Sequence, residues 1–196
     1  MNEEEFNDEV PQEGLPIPEI FKNSDTKGYI THCIQCDYEL LKGDRSYMIE
    51  KVFKRYPNLD STQVLFEYGM CSVCYEKMKD SLSAESMQNL SNYMMNNMDF
   101  SAMQQRIEEN PEDPEKWMSH CMIHGTPKEE MTEYQVAASF KGDRLMTNFM
   151  PPYMIGGMAL EELNGLLSKE TKEDMDGFID QHFGIPPELR KDFILI

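Results

Sequence analysis

The sequence predicts an α+β protein built as two similar halves in tandem, each a metal-binding type of knuckle, a β-hairpin and a helix. The first half carries a structural metal and the second is degenerate, with connecting helices between them. Three observations lead there. Two Cys-x-x-Cys pairs, Cys33-Ile34-Gln35-Cys36 and Cys71-Ser72-Val73-Cys74, bracket a stretch that reads as a hairpin. A second cycle opens on Cys121-Met122-Ile123-His124 and again runs strand, turn, strand and helix. Leu82-Ser83-Ala84-Glu85-Ser86 is matched by Leu167-Ser168-Lys169-Glu170-Thr171. Counting back from these segments sets Cys71 opposite Gly156, Cys74 opposite Ala159 and Tyr68 opposite Tyr153, with Cys33 and Cys36 facing Cys121 and His124.

The expected boundaries follow from composition. Residues 1–27 are rich in acids and broken by Pro11, Pro16 and Pro18, and they read as a disordered acidic tail. Within it, Leu15 to Phe21 has enough apolar character to dock in extended form. The metal-binding unit spans 28–98. Ser46 to Phe53 is β-branched and aromatic, Pro57-Asn58-Leu59-Asp60 makes a turn, and Gln63 to Tyr68 returns into Cys71. From Cys74 the apolar period turns helical through Tyr75, Met78 and Leu82, and Ser83 caps a second helix carrying Met87, Leu90 and Met94. Connecting helices occupy 99–119, the last begun by Asp113-Pro114 and carrying Trp117 into the core. The second unit, 120–196, has a strand from Glu133 to Phe140, a turn at Lys141-Gly142-Asp143-Arg144 and a return strand from Leu145 to Met150. Two helices follow, the second capped by Ser168 and stopped at Gly184.

The formal net charge is −18, from 18 Lys and Arg against 36 Asp and Glu. Such a surface repels phosphate backbones and disfavours nucleic acid as a partner. No apolar run approaches the ~20 residues of a membrane span. The start, Met1-Asn2-Glu3-Glu4-Glu5, is acidic where a secretory signal is basic, so the expected location is cytoplasmic. In that compartment thiols stay reduced, and paired cysteines read as metal ligands before they read as disulfides.

Four thiolates are the full complement of a closed tetrahedral zinc site, and a two-residue gap lets both sulfurs of a pair reach one ion. The expected ligands are Cys33, Cys36, Cys71 and Cys74, holding one structural Zn2+. A redox role fits less well, because the βαβ pattern around a redox pair is missing. The order knuckle, hairpin, second pair at a helix start resembles the treble-clef zinc fingers over residues 33–90. The resemblance implies that Cys33 and Cys36 come from the knuckle and Cys71 and Cys74 from the helix start. Asp37 stands where such knuckles often have glycine. His32 reads as a neighbour of the knuckle, and Cys121 as a small buried residue.

Function follows by exclusion. The sequence has no phosphate-binding glycine loop, nucleophile elbow or HExxH, and a four-cysteine zinc leaves no position for a substrate. The expected function is a non-catalytic interaction or adaptor protein with a basic or amphipathic protein partner. It would meet that partner through its acidic helices, including Glu161-Glu162, or through the methionine-rich Met94 to Met98. Two alternatives stand beside it. A nucleic-acid regulator would use Lys51, Lys54 and Arg55 on the otherwise near-neutral zinc hairpin. A metal-dependent hydrolase or nuclease would use His120 or His124.

Overall fold

A computed structural model describes residues 14–147 and 150–184. Its centre is an antiparallel sheet of five strands with six α-helices among the described residues. The first hairpin pairs β1 (Ser46–Tyr56) with β2 (Ser61–Cys71). The turn between them begins at Pro57, and Asp60 takes the left-handed conformation that closes it. The strands run longer than the residue pattern predicts, because Arg55, Tyr56, Ser61 and Thr62 extend the ladder beyond the apolar stretch.

β1 also pairs along its other edge with β3 (Glu133–Lys141). The far edge of β3 is shared by two short strands, β4 (Arg144–Met146) and β5 (Tyr153–Gly156). Of the return strand expected from Leu145 to Met150, β4 ends at Met146 and residues 148–149 lie outside the described residues; a longer partner of β3 comes after Pro151-Pro152. The two predicted halves therefore share one sheet and one hydrophobic core.

Strand alternation divides this sheet into two covered faces. On one, Tyr47 stacks on Phe140 and Phe53 on Tyr134, reciprocal contacts across the β1–β3 pair. This face is roofed by residues 14–30. Phe21 packs edge-on against Phe140, and Ile17 and Phe21 are buried. The backbone of Leu15 and Ile17 hydrogen-bonds to Leu145 and Asp143. Residues 14–27 are thus an ordered strap, which corrects the disordered tail expected from 1 to 27; residues 1–13 lie outside the described residues. The strap has few apolar side chains, but Ile17 and Phe21 enter a slot already made by β1 and β3, which no local composition reveals.

The strap is also fastened by charge. Lys51 pairs with Glu67 at 2.7 Å, and both are largely buried. Lys51 Nζ donates to the carbonyl of Lys22, and Ser24 donates to Glu67 through both its backbone N–H and its hydroxyl. Removing one member of a buried pair strands the other, at a cost of about 3–5 kcal/mol, whereas replacing both with apolar residues is often close to neutral. Lys51→Met is therefore expected to lower unfolding free energy by about 3 kcal/mol, measured by urea denaturation. Lys51→Met/Glu67→Leu is expected to recover most of that loss.

The opposite face carries the helices. α1 (Ser72–Ser81) leaves the end of β2, and α2 (Ala84–Asn97), α3 (Phe100–Glu109) and the single turn α4 (Pro114–Trp117) follow. α5 (Gly157–Gly165) leaves the end of β5, and α6 (Lys169–His182) closes the described chain, with Gly184 at φ 58° stopping it. Phe178 and Phe183 pack on Tyr68, and Phe183 also on Phe66. Trp117 is buried and donates its indole N–H to the carbonyl of Asn110.

The predicted caps at Ser83 and Ser168 are both present, accepting from the N–H groups of Ser86 and Thr171. They also meet each other. The two hydroxyls lie 2.9 Å apart, Ser83 N donates to Thr171 Oγ1, and Ser168 N donates to Ser86 Oγ. The matched sequence segments are thus a reciprocal contact that fixes α2 against α6.

Candidate metal centre

The knuckle is a tight turn closed by two backbone bonds, Cys33 N to Tyr38 O and Asp37 N to Cys33 O, each 2.9 Å. Asp37 supplies the left-handed residue at φ 59°, a conformation that aspartate tolerates better than most side chains. The absent glycine therefore does not prevent the turn. Cys71 ends β2 and is the N-cap residue of α1, and Cys74 follows in the first turn. The backbone of Ile34 bonds Gly69 O, and Cys71 N donates to Cys33 Sγ, so the knuckle is docked against the strand end. A Cβ on Gly69 would press on the ends of the Leu40 and Ile30 side chains, so glycine lets them pack closely on the strand end.

The structure brings together all four predicted ligands. The sulfurs of Cys33, Cys36, Cys71 and Cys74 lie within 4.8 Å of one another, with Cys36 exposed and the other three buried. Cys36 Sγ and Cys71 Sγ are 3.8 Å apart. Tetrahedral zinc with Zn–S bonds of ~2.3 Å needs sulfurs ~3.8 Å apart, so the cluster has the dimensions of one such ion. Among the described residues it is the one convergent group of three or more His, Cys, Asp or Glu ligand atoms. The donor set is thus fit for a single metal ion such as zinc.

Electrostatics favour thiolate at one of the four sulfurs, Cys71. Burial pushes the Cys71 thiol up, but donation from the Cys74 backbone N–H and from the neighbouring thiols outweighs it and brings the group down to about 7. Burial raises Cys33 and Cys74 above the ordinary thiol range. Arg45 adds a positive charge, with Nη1 3.9 Å from Cys71 Sγ and its guanidinium stacked 4.2 Å over the Tyr38 ring. Tyr38 in turn holds Asp44 at the start of the hairpin. The sequence reading missed Arg45, which sits in a Lys-Gly-Asp-Arg turn that also occurs at 141–144, where it serves no such purpose. Because thiols bind metal as thiolates, uptake is expected to release protons and to weaken as pH falls.

The remaining candidate residues lie elsewhere. His32 bonds Thr31, His120 bonds Ser119, His124 meets Glu162, and His182 bonds Gln35. None joins the four-cysteine cluster. The three basic residues of the first hairpin are all engaged internally. Lys51 pairs with Glu67, Lys54 with Glu133, and Arg55 donates to the carbonyls of Lys128, Glu129 and Met131. They face partners on β2, on β3 and in residues 128–131 that only the tertiary fold supplies. Of the methionine run, Met95 is 78% exposed and Met94 and Met98 pack partly against the core.

The second knuckle repeats the first bond for bond. Cys121 N donates to Thr126 O, and Gly125 N to Cys121 O, with Gly125 left-handed at φ 66°. Met122 N bonds Met154 O, and Gly156 N donates to Cys121 Sγ at 3.3 Å. Cys121 is buried, as expected. Comparison with family models, with curated proteins and with solved structures finds no match to this chain. No helix among the described residues is long and apolar enough to cross a membrane.

Proposed function

We propose that the protein is a non-catalytic, zinc-binding interaction protein made of two treble-clef-like halves, the first holding one structural Zn2+ and the second held by packing. The matched knuckle hydrogen bonds, the reciprocal Tyr47–Phe140 and Phe53–Tyr134 stacks and the mutual Ser83–Ser168 caps support the duplicated design. The observation that carries the functional reading is the closed donor set. Four cysteines fill every position of a tetrahedral ion and leave none for water or substrate.

The partner this surface favours is basic and amphipathic. The net charge of −18 supplies the attraction. Met95 on α2 and Met158 on α5 supply adaptable apolar contacts, being 78% and 66% exposed. The two helices are tied by the Tyr93 hydroxyl, which donates to Glu162. A nucleic-acid role through the hairpin is disfavoured by the internal pairing of Lys51, Lys54 and Arg55.

Fluorescence anisotropy with a lysine- and leucine-rich helical peptide tests the reading. Binding should occur at low salt, weaken as salt rises, and weaken again in Met95→Ser/Met158→Ser. Absence of peptide binding at low salt, or binding indifferent to both changes, would count against it.

A further inference from the structure

The second knuckle keeps two donors of a metal site, Cys121 and His124, and a second sulfur stands where the next ligand is missing. Matching β1–β2 to β3–β5 pairs Cys71 with Tyr47 and Gly156 with Tyr134, so Gly156 occupies the place that Cys71 holds in the first half. A Cβ built on Gly156 would overlap Met131 Sδ and lie 3.7 Å from Cys121 Cβ. The Met131 thioether therefore fills the space beside Gly156 that the side chain of a cysteine there would need. Cys121, His124 and Met131 line one cavity of about 250 Å³, together with Gly156, Gly157 and Ala159.

His124 is arranged as a ligand usually is. Metal-binding imidazoles are held by a carboxylate on the ring nitrogen that does not bind metal. His124 Nε2 lies 3.3 Å from Glu162 Oε2, and Glu162 accepts from Tyr93, which leaves Nδ1 as the free ring nitrogen. The donors differ in kind from those of the first site. One thiolate, one thioether and one imidazole make a soft, three-coordinate set, which suits Cu(I) and is poor for Zn2+, whose structural sites want four N or S anionic or imidazole donors.

We propose that the second half is a Cu(I)-type soft-metal site formed by Cys121, His124 and Met131. Binding releases the Cys121 thiol proton to solvent, and the metal enters already as Cu(I), so no electron is transferred. Glu162 is a positioning residue for His124. The proposal is independent of the partner-binding role, since it concerns metal occupancy alone.

The test is anaerobic titration of the zinc-loaded full chain with Cu(I) against a coloured Cu(I) chelator, with released zinc followed in the same cuvette. One equivalent of Cu(I) should be held without zinc release, and Cu edge absorption should show mixed sulfur and nitrogen ligation. Met131→Leu, which keeps the bulk and removes the donor, and Glu162→Gln should each weaken Cu(I) by about tenfold or more. His124→Gln, at a partly exposed position, carries the same comparison if Met131→Leu fails to fold. No retained copper, copper taken only with stoichiometric loss of zinc, or equal affinity in the variants would overturn the assignment.

Discussion

Replacing Cys71 with serine is expected to abolish stoichiometric zinc binding and to lower unfolding free energy by more than about 4 kcal/mol, the range in which loss of a metal site falls. The size follows from what the metal joins. Cys33 and Cys36 belong to the knuckle, and Cys71 and Cys74 to the junction of β2 and α1. Without the ion these elements keep a few hydrogen bonds, such as Ile34 N to Gly69 O and Cys71 N to Cys33 Sγ, and the packing of Leu40. A site of this kind contributes directly to folding, because the unfolded chain does not hold its ligands together. Cys121→Ser is the matched control. It should cost about 1 kcal/mol and leave one zinc in place, because a serine oxygen can still accept the Gly156 N–H and the change removes little apolar volume. Guanidinium denaturation with zinc analysis of both variants checks the contrast; equal losses in the two would sink it.

Replacing Glu50 with glutamine is expected to stabilise the protein at neutral and alkaline pH. Glu50 is fully buried at the middle of β1, and burial pushes its carboxyl up to about 8 despite a hydrogen bond from Tyr68 that pulls the other way. Gln135 also donates to it, at 3.3 Å. Yet Glu50 Oε1 and Gln135 Oε1, both buried, lack hydrogen-bond partners among the described residues. The titratable groups around Glu50 are Tyr68 on β2, Tyr75 on α1 and Tyr153 on β5, all raised first by burial and then by the Glu50 charge.

The folded pKa is above the unfolded value of 4.5, so the native state holds a proton that the unfolded chain releases. The resulting stability is complete below about 4.5 and is lost as pH rises through the window up to about 8. The slope within that window is about 1.4 kcal/mol per pH unit. Glutamine keeps an acceptor for Tyr68 and offers an amide N–H to Gln135. The variant should therefore gain several kcal/mol relative to the parent between pH 5 and 8, by urea denaturation at each pH. A difference that stays flat across that window would show that Glu50 does not carry the proton.

Much of this architecture is visible in local chemistry. The Cys-x-x-Cys pairs mark the ligands, Ser83 and Ser168 mark helix starts, and the β-branched run around Ile49 marks a central strand. What is not visible depends on residues far apart in the chain. β5 is four residues after a Pro-Pro pair and becomes a strand only because β3 offers an edge. The buried pairing of Lys51 with Glu67 depends on Lys22 and Ser24, which arrive from the strap. Glu50 has the alternation of a core position, but a carboxylate there carries no local sign of being buried. Met131 shows its place only when Gly156 is found beside it.

The central claim is that Cys33, Cys36, Cys71 and Cys74 together hold one closed, structural zinc. X-ray absorption at the zinc edge, on protein purified under reducing conditions and assayed for metal, tests it most directly. The expected result is one zinc per chain with four sulfurs at ~2.3 Å. Zinc well below one per chain, or nitrogen or oxygen in its first coordination shell, would contradict it.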